Sequence, residues 1–408
     1  MSFLFLTGSK MNTFGRGTVS VSPTEAAVAP KANLYDSDPS TPHIAGSAAA
    51  DSYMRVAING LTNGGFESGL DGWTDEDEGA AVSSATAVAG EFNSGAGGLK
   101  LQSSGASTAI RTQTFTAAAG EYRKASIYIK ASGGGSVVFV RIRNLTTGNY
   151  LNSSSEWGSS PVAAVTVSAT SWTLTEVTYQ VESFETCRAD TVSIKWTVIG
   201  SDGTTYADDC KDIPGVTFAS IHGHNYAPTL SPLVQSSDDG SSWTTRATMT
   251  IQRPAFYSTF SAIYAEYWQI KLSGTPLEAP YTGEAVLGQY TTCATSPMWG
   301  IPKTRNTPGV RTRGPSGRPH VYSYATDPPQ DIALTFSART AAAAKELADG
   351  LWLRSGQGLY PVVLVPIDTE TDVYFGRFMD PVTVERPFQG IYECTLSLVG
   401  DPFPTVGL

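Results

Sequence analysis

The chain has 408 residues, of which only 16% are Asp, Glu, Lys or Arg, and it carries a formal net charge of −10. This length predicts two or three domains. The low share of charged residues, together with 40 glycines, favours β-strands over helices, whose surfaces usually need more charge. An acidic chain without a Lys/Arg run predicts neither a nucleic-acid partner nor an anionic membrane partner.

The N-terminus begins with a short apolar stretch, Phe3–Leu6, that no basic segment precedes. It is too short for a secretory signal, and no apolar run approaches the roughly 20 residues that span a bilayer. We therefore expect folding in the cytoplasm. None of the four cysteines belongs to a Cys-x-x-Cys pair, so we predict free thiols, although Cys187 and Cys210 flank what we predict to be one hairpin.

Strand patterns dominate the chain. Alternating or β-branched apolar stretches occupy 126–130, 136–143, 175–181 and 191–198, and turn clusters such as 132–136 and 200–203 separate them. Short strands at this spacing predict a β-sandwich. One helix is predicted over 337–352, where four consecutive alanines are strong helix formers, and strands follow at 360–366, 372–377 and 390–399.

The most specific motif runs from Asn63 to Trp73 and reads Asn-Gly-Gly-Phe-Glu-Ser-Gly-Leu-Asp-Gly-Trp. It resembles the opening of family 4/9-type carbohydrate-binding modules. Further elements of that family follow in order: a small-residue turn into a strand at 94–101, a central strand at 122–130, Trp172 with the strand 175–181, and the closing Tyr206-Ala-Asp208-Asp209. The resemblance covers 61–213 and implies a jelly-roll sandwich.

The resemblance also implies a structural calcium ion, with ligands at Glu67 and at Asp208 or Asp209. Calcium binds six to eight hard oxygens, so carboxylates are suitable ligands. The alternative is that these are solvated carboxylates at strand ends. Sugar binding requires exposed aromatic rings. Tyr150 and Trp157 lie in a polar loop and are the predicted stacking residues. The other tryptophans in strand-like contexts are predicted to be core, namely Trp73, Trp172 and Trp196.

The segments on either side of this module look like two halves of one domain. His224-Asn225, the run Ser237–Trp243 and Tyr267–Leu272 resemble a discoidin-like, galactose-binding-like sandwich. The predicted organisation is an N-terminal arm (1–22), this discoidin-like domain (23–60 and 214–293), the inserted module (61–213), a Pro/Arg-rich linker or arm (294–320) and a C-terminal β-rich module with the one helix (321–408). Insertions are tolerated where chain ends are close at a surface loop.

The stretches 281–290 and 331–398 resemble tail-tip proteins of tailed bacteriophages, of the distal-tail or minor-tail type. That resemblance implies a virion protein of the tail tip or baseplate, assembled in the host cytoplasm as a ring or trimer with other tail proteins. The module would bind host-surface polysaccharide. The alternatives are a non-catalytic accessory part of a polysaccharide-degrading system and a purely structural sandwich. We expect no enzymatic activity, because the sequence contains no nucleophile elbow and no phosphate-binding loop.

Overall fold

A computed structural model describes residues 3–6, 18–22, 31–34, 43–45, 47–104, 107–133, 136–189, 191–252, 255–293, 303–305, 309–313, 319–323, 330–338, 340–341, 344, 351–352, 355, 361–365, 373–378, 380, 383–389 and 391–400. Antiparallel strands dominate these residues, which confirms the predicted mostly β class. The chain divides into two compact units: Asn59–Gly215, and a second that joins Met1–Ile58 to Val216–Leu408. Within the described part, no helix is both long and apolar enough to cross a membrane.

Two sheets form the unit Asn59–Gly215. In spatial order, the seven-stranded sheet contains Trp157–Gly158, Tyr150–Leu151, Val137–Asn144, Thr191–Ser201, Ala109–Ala118 and Thr74–Asp75, with Val165–Val167 also paired to Val137–Asn144. The opposing five-stranded sheet contains Thr173–Gln180, Tyr122–Ala131, Thr204–Pro214, Gly98–Gln102 and Val82–Thr86. One short helix, Phe184–Cys187, precedes Thr191–Ser201.

The core of this unit follows from alternation along its strands. In Val137–Asn144 every second side chain is buried, because successive side chains point to opposite faces of a sheet. The inward apolar residues of both sheets form one cluster, which includes Val140, Ile142, Trp196, Ile127 and Ile129. Trp73 and Trp196 are buried as predicted, whereas Trp172 is only half-buried and does not belong to this cluster.

A buried ionic network lies where the first and last segments of the unit meet. Arg123 Nε donates to Asp212 Oδ1 at 2.5 Å and Arg123 Nη1 to Glu121 at 2.8 Å. The hydroxyl of Tyr179 and the indole N–H of Trp196 both donate to Asp212 Oδ2, at 2.8 and 2.7 Å. Removing one partner of such a network leaves an uncompensated buried charge, so all its members are needed together.

Two further sheets enclose the first core of the second unit. One contains Thr244–Thr248, Ser231–Ser237, Tyr267–Ser273, Ser52–Ala57 and Thr18–Ser22, and the other contains Ala255–Ile263, Val216–His224, Tyr281–Gly288 and His43–Ile44. A short 3-10 helix covers Lys31–Leu34. Ser52–Ala57 pairs with Tyr267–Ser273, so strands from before and after the unit Asn59–Gly215 share one sheet. Val56, Ile221, Trp268, Ile270 and Leu287 are among the buried residues between the sheets.

An eight-stranded sheet completes the second unit. It contains Thr291–Cys293, Phe3–Leu6, Val362–Val365, Tyr374–Phe378, Ile391–Gly400, Gln330–Ala338 and Lys303–Arg305, with Thr383–Phe388 paired to Ile391–Gly400. Gly309–Arg313 and Pro319–Ser323 form a separate hairpin. Val363, Val365 and Phe375 pack against Phe218 and Val286 of the four-stranded sheet. The C-terminal strands therefore share apolar contacts with the sandwich that precedes them.

Three sequence predictions differ from this arrangement. The N-terminal arm, 1–22, contributes the paired strands Phe3–Leu6 and Thr18–Ser22, and the linker, 294–320, contains paired strands as well. Strand Gln330–Ala338 extends beyond Ser337, where the helix was predicted to begin, because its ladder with Ile391–Gly400 continues to Ala338. Most of 339–352 lies outside the described residues. Cys187, Cys210 and Cys394 are free thiols, as predicted.

Candidate functional site

The motif that opens the unit Asn59–Gly215 forms a tight, self-bonded turn. The Asn63 side chain donates to Gly69 O at 3.1 Å and accepts from Ser68 N at 3.1 Å. The rings of Phe66 and Trp73 lie 5.2 Å apart in the core, and the Trp73 indole donates to Asn63 O. A Cβ on Gly64 would lie 1.9 Å from the Cys210 carbonyl oxygen, so only glycine fits there.

Asp208 is one of the three predicted calcium ligands, and it is fully buried. Its Oδ2 accepts from the backbone N–H groups of Asn93 and Ser94 at 2.7 and 3.0 Å, and its Oδ1 accepts from Asp209 N at 2.8 Å. Burial raises the pKa of the Asp208 carboxyl to about 6, and the neighbouring Asp209 charge adds to the rise, while the three N–H donors oppose it. This carboxylate orders the loop that begins at Asn93.

The other two predicted ligands, Glu67 and Asp209, both lie near Gly65. Asp209 Oδ1 and Glu67 Oε1 lie 3.6 and 3.9 Å from the point where a Cβ on Gly65 would stand. Glu67 also accepts from Ala96 N at 2.8 Å, and Asp209 Oδ2 accepts from the Ser94 hydroxyl at 2.8 Å. These two carboxylates are suitable hard oxygen ligands for calcium. Among the described residues, however, no three His, Cys, Asp or Glu side chains are grouped to hold a metal ion.

Asp208 fits a calcium ion less well than its two neighbours, because the loop N–H groups occupy its oxygens. Glu67 and Asp209 are therefore the residues that would hold the ion, completed by other oxygen donors.

Only glycine fits at position 95, in the loop that begins at Asn93. Gly95 has a φ of +63°, and a Cβ there would stand 1.7 Å from Glu67 Oε1. The sequence resemblance identified the acidic residues but not this loop.

Tyr150 and Trp157, the predicted stacking residues, lie on adjacent strands but point to opposite faces. Tyr150 pairs with Gly158, and buried Leu151 pairs with Trp157, so Trp157 shares the core-facing side. The Trp157 indole donates to Gln180 O at 2.7 Å and its ring meets Tyr179 edge-on at 6.0 Å. Trp157 therefore serves mainly in packing, whereas Tyr150 lies on the outer face of the seven-stranded sheet.

Tyr150 follows a turn that a single carboxylate holds in place. Glu182 is buried and accepts from Asn144 Nδ2 at 2.8 Å and Asn149 Nδ2 at 2.7 Å, and also from the hydroxyl of Thr147. Because the 144–149 turn is fixed in this way, the Tyr150 ring is positioned before any ligand arrives. Preorganised side chains lower the entropic cost of binding.

A row of side chains crosses the outer face beside Tyr150. Tyr150 pairs with Arg143, Arg143 with Lys195, and Lys195 with Thr114. The Arg143 guanidinium lies 5.0 Å from the centre of the Tyr150 ring, within the range of a cation–π contact. Lys195 Nζ lies 2.6 Å from Glu76 Oε1. One aromatic ring and several hydrogen-bonding groups are thus presented together.

A second row runs parallel to the first, two residues along each strand. It contains Arg141, which pairs with Thr197, and Thr197 pairs with Thr112. Phe139 lies two residues further along the same strand as Arg141. We call Phe139, Arg141, Arg143, Tyr150, Lys195 and Thr197 the outer face; all are partly exposed. Of these six residues, only Tyr150 was predicted from the sequence as a binding residue. The alternation in 136–143 nevertheless indicates that Arg141 and Arg143 share a face.

The opposing five-stranded sheet carries a different set of groups. Trp172, predicted to be core, instead lies with its ring 6.5 Å from Tyr206, and Lys130 Nζ lies 6.0 Å from the centre of the Trp172 ring. Tyr206 donates to Glu91 at 3.0 Å, and Lys100 forms a 2.9 Å ion pair with the same carboxylate. The hydroxyl and ammonium groups of this face are thus largely engaged with one another.

No protein-family model matches this sequence. No curated protein matches it either. Among solved structures, Family 16 Carbohydrate Binding Module-2 is 19% identical over 38% of this chain and 99% of its own length, with a TM-score of 0.29. TmCBM61, solved in complex with β-1,4-galactotriose, is 18% identical over 39% of this chain and 99% of its own, with a TM-score of 0.29.

A phage protein is also among the similar structures. The enzymatically active domain of tailspike protein 4 from Bacteriophage CBA120 is 14% identical, covers 38% of this chain and has a TM-score of 0.30. This chain spans 21% of that tailspike domain's length. The structural neighbours are thus carbohydrate-binding modules and a phage tailspike domain.

Proposed function

We propose that the unit Asn59–Gly215 binds a polysaccharide on the outer face of its seven-stranded sheet. The observation that carries this proposal is the row that places the Tyr150 ring in register with Arg143 and Lys195. A sugar ring buries one C–H face on an aromatic ring and offers hydroxyls to donors around it, and this row supplies both kinds of contact. The resemblance of 61–213 to carbohydrate-binding modules supports the same function.

The rigidity of the outer face supports this choice of surface. Five of its six side chains stand on the central strands Val137–Asn144 and Thr191–Ser201. The sixth, Tyr150, stands on the short neighbouring strand Tyr150–Leu151, after a turn that the Glu182 carboxylate fixes. Sites built on strands hold their geometry more tightly than sites built on loops. On the five-stranded sheet, by contrast, Lys100 and Tyr206 already bind Glu91. A ligand there would have to displace those contacts.

For the whole chain, we propose a non-catalytic structural role at the tip or baseplate of a phage tail. In this role the second unit would contact other tail proteins or further copies of this chain, and the unit Asn59–Gly215 would be displayed to host-surface glycans. The protein would assemble in the host cytoplasm and end in the virion. The resemblance of 281–290 and 331–398 to tail-tip proteins supports this part of the proposal.

A glycan array probed with the full chain tests the binding function. We expect retention on a subset of polysaccharides, and a loss of up to about tenfold in affinity for Tyr150→Ala, because an aromatic contact contributes up to about 1.5 kcal/mol and about 1.4 kcal/mol corresponds to tenfold. Tyr122→Ala is the matched control, since Tyr122 is 48% exposed on the five-stranded sheet. Equal binding by wild type and Tyr150→Ala would count against the proposed surface.

A further inference from the structure

Two arginines on the outer face have no carboxylate partner among the described residues. The Nε of Arg141 is shielded from solvent and makes no hydrogen bond within the described structure. Arg143 donates from its Nε to the Gly148 carbonyl at 3.3 Å, and its guanidinium lies over Tyr150. A guanidinium carries five N–H donors, so both side chains retain unused donors.

The placement of a third cation adds to the positive charge. Lys195 stands directly opposite Arg143 in the strand register, and like charges in that position are destabilising. Glu76 offsets one of the two charges through its ion pair with Lys195. The face therefore retains uncompensated positive charge in a chain whose net charge is −10. Uncompensated like charges at this surface lower the stability of the fold, which suggests that the surface has a function.

The opposing sheet serves as an internal comparison. Two of its lysines have carboxylate partners: Lys100 lies 2.9 Å from Glu91, and Lys124 lies 2.6 Å from Glu176. A third, Lys130, donates to the Gly90 carbonyl at 2.8 Å. Two of these three charges are therefore neutralised by carboxylates within the fold. Only the outer face, within the described residues of this unit, combines an aromatic ring with arginines that lack an acidic partner.

We infer that the outer face selects an acidic polysaccharide, one whose uronic acid carboxylates pair with Arg141 and Arg143. This inference rests on the proposed function and adds the class of ligand. Arginine presents a planar fork that matches a carboxylate, and the two side chains stand two residues apart on one strand, about 6.6 Å. The net charge of −10 repels any polyanion at long range, but it repels duplex DNA, with one charge per about 1.7 Å, more strongly than a uronate chain with at most one carboxylate per sugar ring.

The test compares an acidic polymer with its uncharged methyl ester. Binding of the full chain to polygalacturonate is measured by affinity electrophoresis or calorimetry, and again with the same polymer after full methyl esterification, which removes the carboxylate charge. Alginate serves as a second uronate and duplex DNA as a polyanion without sugar acids. The variants are Arg141→Gln and Arg143→Gln. Lys124→Gln, on the opposing sheet, is the control that changes the net charge equally.

We expect binding to at least one uronate polymer, binding at least about tenfold weaker after esterification, and a further loss of about tenfold for each arginine variant. Lys124→Gln should bind as the wild type does. The melting temperature of Arg141→Gln should equal or exceed that of the wild type, because the variant removes an unsatisfied buried donor. In Arg143→Gln, relief of the repulsion with Lys195 is offset by loss of the contacts with Gly148 and Tyr150, so Arg141→Gln is the informative variant for the melting temperature. A structural role for Arg141 would instead lower it.

The opposite results separate the two proposals. Equal binding of esterified and free polymer, binding of DNA as tight as that of the uronates, or unchanged binding by both arginine variants overturns the acidic-ligand inference. Tyr150-dependent binding of neutral glycans alone overturns it as well, but leaves the proposed function standing. Failure to bind any glycan on the array overturns both.

Discussion

His222 lies in strand Val216–His224 with its side chain fully buried. Its Nε2 lies 2.8 Å from the Ser220 hydroxyl, and its ring packs 5.0 Å from that of Phe375. Burial, together with a smaller effect of the neighbouring His224, lowers the pKa of this imidazole to about 3. On the adjacent strand, Glu284 is its cross-strand partner. His222 is therefore neutral in the folded protein at neutral pH.

This burial predicts a loss of stability in mild acid. Below about pH 6.5 the unfolded chain takes up a proton at His222, whereas the folded chain does so only near pH 3. The free energy of unfolding therefore falls by up to about 1.4 kcal/mol per pH unit across that window. Urea unfolding at pH 7 and pH 5 measures the fall. His222→Gln should show a smaller difference between the two pH values, and an undiminished difference would show that His222 is not its source.

Calcium binding at Glu67 and Asp209 stays a prediction at the residue scale. A ligand that binds only the folded state raises the free energy of unfolding by about 2.7 kcal/mol when its concentration is about 100 times the Kd. We expect calcium, compared with a chelator, to raise the melting temperature of the wild type. Glu67→Gln should lose that rise, since the amide still accepts from Ala96 N but lacks the charge. Glu78→Gln, an exposed acidic residue of the same unit, is the control. An unchanged wild-type melting temperature would rule the site out.

At the scale of secondary-structure elements, the strands were the feature of the fold that the sequence predicted best. The stretches 126–130, 136–143, 175–181 and 191–198 correspond to the strands Tyr122–Ala131, Val137–Asn144, Thr173–Gln180 and Thr191–Ser201. Alternation is a local pattern, so it can be read without knowing the partner strand. The Tyr150–Arg143–Lys195 row was not predictable in that way, because it depends on a register between strands about 50 residues apart.

Two other differences between the sequence predictions and the structure also arise from contacts between distant segments. Trp172 directly precedes strand Thr173–Gln180, and this strand-like context suggested a core position. Its ring instead lies beside Tyr206 and Lys130 on the outside of the five-stranded sheet. Phe3–Leu6 looked like part of an arm, but it pairs with Val362–Val365 from the other end of the chain. Pairings between distant segments leave no periodic signal in either segment.

The contacts that close the unit Asn59–Gly215 predict that it folds when excised. Gly60 N donates to Asp212 O at 2.8 Å, and Asn59 Oδ1 accepts from Asp212 N at 3.1 Å. A segment with its own core and joined ends is expected to fold independently. The 59–215 fragment should give a dispersed amide spectrum, and the shorter 61–213 fragment should melt at a lower temperature because it lacks both contacts. A collapsed spectrum for 59–215 would contradict independent folding.

At the scale of the whole molecule, the proposed tail-tip role requires assembly. Virion components of this kind form symmetric closed rings or trimers. We expect light scattering to give a multiple of the 43.2 kDa chain mass for the full protein and a monomer for the 59–215 fragment. A monomeric full chain would argue against the ring or trimer, while leaving the glycan-binding face untouched.

The central claim is that the outer face of the seven-stranded sheet is where glycan binds. Covalent labelling of exposed side chains, read by mass spectrometry on the full chain with and without a glycan that the array identifies, tests it most directly. The account predicts protection of peptides that contain Arg141, Arg143, Tyr150 and Lys195, with the Tyr122–Ala131 and Thr173–Gln180 strands labelled equally in both samples. Protection confined to the Trp172 and Tyr206 side of the five-stranded sheet would contradict it. Failure of the array to identify any bound glycan would contradict it as well.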